Sequence, residues 1–153
     1  MSETQTPTAT SSSSSPGVGQ ICWLEVPVTD PSRAKEFYSS VLGWDCDPAG
    51  KPSVMTGAEN AIHFFHKGES LHGAFIQMPE DGNCLIRAWD AEDPLAMSVL
   101  TTYCVDSIED TLAKVESHGG KVHVPKTAIG GNMGYFSRFI DSEGNLQGLW
   151  AMN

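Results

Sequence analysis

From Ile21 to Val28 the chain reads ICWLEVPV, mostly β-branched, aromatic and aliphatic, which suits a half-buried strand. Alternation splits it into Cys22, Leu24, Val26 and Val28 on one face and Trp23, Glu25 and Pro27 on the other. The apolar period then changes. Ala34, Phe37, Tyr38, Val41 and Leu42 recur at three- and four-residue spacing, which is one apolar face of a helix. Asp30 stands at the N-cap, Pro31 at the first helical position and Gly43 at the stop. A strand followed by a helix is therefore expected between Ile21 and Gly43.

The same pattern returns downstream. Ser98 to Val105 reads as a strand, Asp106 and Ser107 offer a cap, and Ile108, Leu112 and Val115 form a helix face ending at Gly119-Gly120. Asp30 to Asp106 and Gly43 to Gly119 are both 76 residues, which suggests an internal duplication. After the first helix, Trp44–Asp47 reads as a short strand, and Ala61–His66 with His72–Met78 as a hairpin. After the second, Lys121–Pro125 is a strand, and Tyr135–Ile140 with Leu146–Trp150 a hairpin turning at Asp141–Asn145. Each half thus reads β-α-β-β-β. The expected fold class is α+β, with two βαβββ modules at about residues 20–79 and 98–153 and a linker over 80–97. Residues 1–19 are Ser, Thr and Pro with few apolar side chains, so they are expected to be a disordered tail.

Composition narrows the function. The 153 residues carry a formal net charge of −10, which argues against a nucleic-acid backbone or an anionic membrane as partner. No apolar run approaches the roughly 20 residues of a spanning helix, and no secretory leader is expected at the N-terminus. Cys22, Cys46, Cys84 and Cys104 form no C-x-x-C pair, which speaks against a structural zinc site. Cys22 and Cys104 fall in the two strand runs and are expected to be reduced core thiols of a cytoplasmic protein.

The run V-x-D-x-x-x-A-x-x-F-Y-x-x-x-L-G-W from Val28 to Trp44, the duplicated βαβββ unit and the closing D-S-E-G-N of Asp141–Asn145 resemble the vicinal-oxygen-chelate superfamily. That superfamily holds glyoxalases, extradiol dioxygenases and bleomycin- or fosfomycin-resistance proteins. The stretch from Val124 to Trp150 looks most like its broad glyoxalase-like branch. The resemblance implies cupped mixed sheets with helices on the outer face, a small-molecule ligand in the cup, and halves that share one core or pair across a homodimer. It also implies four metal positions. In this chain they fall on Trp23, Gln77, Val99 and Gly148, of which only Gln77 has a side chain able to ligate, and only weakly. The histidines add no H-x-H or H-E-x-x-H. No metal and no other cofactor is expected.

The remaining cup lining is Trp23 and Glu25 in the first half, Val99, Thr101 and Tyr103 in the second, and Phe75, Gln77, Leu146 and Trp150 on the last strands. As ligand contacts these are Trp23, Glu25, Phe75, Gln77, Thr101, Tyr103 and Trp150; the aromatic ones serve equally well as core. Glu25 is the candidate acid or base, if its carboxylate is desolvated among the aromatic rings. Otherwise it is solvated or paired with Arg138. Trp23 is expected to face Gly148 and to fill the volume of a metal. Three functions follow: a metal-independent enzyme or binder for an oxygen-bearing metabolite, a metal-dependent lyase or dioxygenase, and a sequestering resistance-type protein without turnover.

Overall fold

The computed structural model describes residues 18–80 and 98–153. The expected tail up to residue 17 and linker from residue 81 lie outside the described residues. The first half runs β1 (Leu24–Val28), α1 (Pro31–Leu42), β2 (Asp45–Cys46), β3 (Ile62–Lys67) and β4 (Leu71–Gln77). The second repeats it as β5 (Thr102–Cys104), α2 (Ile108–Ser117), β6 (Lys121–Ala128), β7 (Tyr135–Ile140) and β8 (Leu146–Ala151). The expected α+β class and both βαβββ modules are present.

The sheets are four-stranded and ordered alike, β1-β4-β3-β2 and β5-β8-β7-β6. In each, the first strand lies parallel to the last and the other pairs are antiparallel. The local signals act as read. The Asp30 carboxylate accepts from the Ser32 and Arg33 backbone N–H groups, and Gly43 takes the left-handed conformation that ends α1. In the second half the cap is Ser107, whose hydroxyl accepts from the Asp110 N–H. The two caps are therefore 77 residues apart, not the 76 expected from Asp106.

One core lies between the halves. Val26, Val28, Phe37, Tyr38, Phe65 and Phe75 of the first half join Ile108, Val115, Phe139 and Leu149 of the second. The two helices touch, and both sheets turn their helix-covered faces toward this core. Trp44 stacks on Tyr38 at 4.4 Å and on Phe65 at 4.3 Å, and meets Tyr103 of the second half edge-on at 5.6 Å. Burying each large side chain contributes about 1.5–3 kcal/mol. Gly73 makes this packing possible: a Cβ there would stand 2.5 Å from the Phe65 ring and 2.2 Å from the Leu24 carbonyl.

The hairpin between β7 and β8 ties the halves together with polar groups. The Glu143 carboxylate accepts from the Thr29 N–H, the Thr29 hydroxyl and the Asp30 N–H, and from Nε of Arg33 at 2.7 Å and its Nη2 at 3.0 Å. Buried Asp141 accepts from the Tyr38 hydroxyl at 2.7 Å, and Asn145 donates to the Pro27 carbonyl at 2.9 Å. The D-S-E-G-N run is thus a clamp on the first half.

Candidate functional site

Each sheet has a face turned away from the helices. On the first it carries Glu25 and Pro27 of β1, Ala74 and Ile76 of β4, and Phe64 and His66 of β3, as the registers Glu25↔Ala74 and Phe64↔Ala74 require. Trp23 joins this face, its ring edge-on to Phe64 at 5.9 Å, and stays 45% exposed. On the second sheet the corresponding face carries Thr102 and Cys104 of β5, Gly148 and Trp150 of β8, and Phe136 and Arg138 of β7.

This assignment corrects several expectations. Tyr103 pairs with fully buried Leu149 and so points into the core, not the cup. The cause is the one-residue difference between the caps: aligned on Ser107 rather than Asp106, Thr102 takes the place of Glu25, and a one-residue slip turns every side chain to the other face. Val99 lies before β5 and is fully exposed. Phe75 pairs with Val26 and is fully buried on the helix side, and Gln77 at the end of β4 lies on that same side of the sheet. Glu25 is exposed and makes no ion pair with Arg138. Trp23 does not fill the space over Gly148. A Cβ on that glycine would instead meet the Thr102 hydroxyl at 2.6 Å and Leu100 at 3.4 Å. Cys22 and Cys104 are exposed, because Cys22 precedes β1 and Cys104 lies on the open face. Cys46 is half-buried, and burial pushes its thiol up to about 11.

Three of the expected contacts nevertheless meet. Trp23, Thr101 and Tyr103 line one groove of about 430 Å³ at the seam between the halves. Leu24, Leu42, Leu71 and Trp44 supply apolar wall, and His72, Lys67 and Thr102 the remaining polar edge. Lys67 reaches it from the β3–β4 turn while its ammonium donates to the Gly43 carbonyl at 2.8 Å. No local pattern announced these added residues, which the groove draws from the end of α1, the β3–β4 turn and β5. Trp150 lies elsewhere, its indole N–H donating to the Met133 carbonyl of the Gly130–Gly134 loop at 2.9 Å.

A buried polar chain leads away from the groove. The Tyr103 hydroxyl donates to the Gln147 carbonyl oxygen at 3.3 Å, the Gln147 amide donates to the Tyr38 hydroxyl at 3.1 Å, and Tyr38 donates to Asp141. Every donor direction agrees. Burial, and then the Asp141 charge, hold both phenols well above their usual range. Desolvation raises the Asp141 carboxyl, opposed by the hydrogen bonds it accepts. Glu143 is lowered despite its burial, because Arg33 and the Asp30 and Thr29 N–H groups favour its charged form.

The residues present do not fit a metal held at the four positions the resemblance implies. Trp23, Val99 and Gly148 have no donor side chain, and Gln77 sits on the helix side of its sheet while Trp23 sits on the other. Nor do the described residues hold any other group of three His, Cys, Asp or Glu placed for a metal ion.

Comparison with known proteins agrees with the fold. The chain is 28% identical over 131 residues to a putative glyoxylase, CFP32, of Mycobacterium tuberculosis, covering 86% of this chain and 45% of that protein. The chain thus spans about half the length of that relative. It is 26% identical over 138 residues to a glyoxylase-like domain-containing protein of Didymella fabae, covering 86% of this chain and 92% of that one. Its fold matches a mutant of the fosfomycin resistance protein FosX of Listeria monocytogenes, solved with Mn(II) and 1S,2S-dihydroxypropylphosphonic acid, with a TM-score of 0.64 at 12% identity over 88% of this chain and 93% of that one. The family model of the Glyoxalase/Bleomycin resistance protein/Dioxygenase superfamily matches residues 20–147, and the chain belongs to that superfamily.

Proposed function

We propose that this protein binds a small, mostly apolar, oxygen-bearing molecule in the seam groove, without a metal at the family positions. The observation that carries this reading is the lining of the groove. Aromatic and aliphatic walls from Trp23, Trp44, Leu24 and Leu71 surround a few polar residues, among them Tyr103, Thr101 and His72. That is the chemistry of a metabolite site, where apolar contact gives affinity and a few hydrogen bonds give orientation. Other recesses are of similar size but differ in lining. One of about 420 Å³ is walled largely by the Gly130–Gly134 loop, and one of about 480 Å³ surrounds the Arg33–Glu143 clamp.

The reading is of a binder rather than a catalyst, since the one expected acid or base, Glu25, lies exposed outside the groove. A second copy of the chain covering the open face of the first sheet, where Trp23 and Phe64 are exposed, belongs to the same reading. The test is a screen of ketone, aldehyde and phenol ligands by tryptophan fluorescence and thermal shift. Binding that disappears in Trp23→Ala and Leu71→Asp, with the fold retained, supports the groove. Binding unaffected by both variants overturns it.

A further inference from the structure

On the open face of the second sheet, Thr102, Gly148 and Arg138 form one row across β5, β8 and β7, through the registers Thr102↔Gly148 and Arg138↔Gly148. The neighbours of Arg138 along β7, Ser137 and Phe139, are both buried on the core side, so the guanidinium points to the open side. Its Nε is buried and has no hydrogen-bond partner, and no acidic residue among those described pairs with it. This is not for want of acids. The chain has 19 Asp and Glu against 9 Lys and Arg, and Arg33 is held by two of them. A buried guanidinium Nε–H with no acceptor among the described residues is costly, and an oxyanion of a ligand would satisfy it. Beside it Gly148 contributes no side chain, and the Thr102 hydroxyl leans over that glycine, 2.6 Å from where a Cβ would stand.

We infer that Arg138 and Thr102, across the bare backbone of Gly148, form an oxyanion site that takes the carboxylate or phosphonate group of the ligand. The planar guanidinium presents paired N–H donors that match either group, and a hydroxyl on the opposite side supplies a further donor. The inference rests on the seam-groove reading in one respect: Thr102 borders both, so a single ligand places its apolar body in the groove and its anionic end toward Arg138.

The test follows the Arg138 Nε–Hε resonance of the full chain by NMR at low ionic strength, assigned by Arg138→Gln among the three arginines of the sequence. Sodium acetate and sodium methylphosphonate are the probes, with sodium chloride at matched ionic strength as the control. The expected result is a saturable shift with one or both oxyanions and none with chloride. Which probe binds more tightly assigns the site to carboxylate or phosphonate. Arg138→Gln should weaken the anion-induced shifts of neighbouring amides by about tenfold or more in affinity. If that variant does not fold, Thr102→Val and Gly148→Ala keep the charge and should also weaken binding. Trp23→Ala should leave the anion response intact, so loss of the groove and loss of the anion site read separately. No saturable shift, or one that chloride reproduces, overturns the inference. So does an Arg138 resonance that changes on dilution and in Glu25→Gln, because a second copy's carboxylate is then its partner.

Discussion

The Tyr38 hydroxyl of the first half donates to the Asp141 carboxylate of the second at 2.7 Å, across 103 residues of chain. Both groups are buried, and the bond sits beside the Glu143–Arg33 pair that holds the same hairpin against β1 and α1. Two carboxylates that read as turn residues in the sequence thus join the two modules. Their geometry makes the clamp a source of stability.

Removing the buried Glu143 side chain should therefore be expensive. Glu143→Ala leaves the Thr29 and Asp30 N–H groups without their acceptor and should cost about 3–5 kcal/mol in urea unfolding. Arg33 is half-exposed, so Arg33→Ala should cost less, about 1–2 kcal/mol. Equal losses from the two variants would contradict this division.

The clamp also predicts an acid response. Glu143 lies below its ordinary 4.5 in the folded state, so its contribution is present above that pH and is lost as pH falls through the folded value. Asp141 is raised above 3.8, so its ionisation works in the opposite sense, weakening the fold as pH rises through its folded value. Glu143→Gln should therefore lower the melting temperature most at neutral pH and converge on the parent protein in acid. Melting curves taken across the acid range read the difference. A constant offset at every pH would assign the loss to packing rather than charge.

Tyr103 and Trp23 should respond differently to truncation. Tyr103 is packed against the core beside Trp44, so Tyr103→Ala should destabilise by about 3–5 kcal/mol. Trp23 is 45% exposed, so Trp23→Ala should cost clearly less stability and weaken groove ligands by about 1–3 kcal/mol. Tyr103→Phe removes only the 3.3 Å bond to Gln147, a loss of about 0.5–1.5 kcal/mol.

Metal should have no structural part at the family positions. Melting curves recorded with and without a strong chelator, and with added Mn²⁺ or Zn²⁺, should coincide within error. A rise of several degrees with one of these ions, lost in a variant of His66 or His72, would show that the open-face histidines bind it instead.

Short-range features of the sequence determined much of this protein. Asp30, Pro31 and Gly43 set the ends of α1 by local capping chemistry, and alternation correctly turned Val26 and Val28 toward the core and Glu25 away from it. The βαβββ order of both halves, and the family, were legible for the same reason: caps, turns and period act over a few residues. Tertiary structure decided what depends on partners distant in the chain. Pairing with β8 placed β5 one residue from its expected register and sent Tyr103 into the core, and pairing with β1 did the same to Phe75. The buried clamp of Asp141 and Glu143 and the groove at the seam arise where two separately coded modules meet, and the row of Thr102, Gly148 and Arg138 arises where β5, β8 and β7 pair. A strand's own sequence fixes which residues share a face, but only the neighbouring strand and the layer packed on it fix which face is buried.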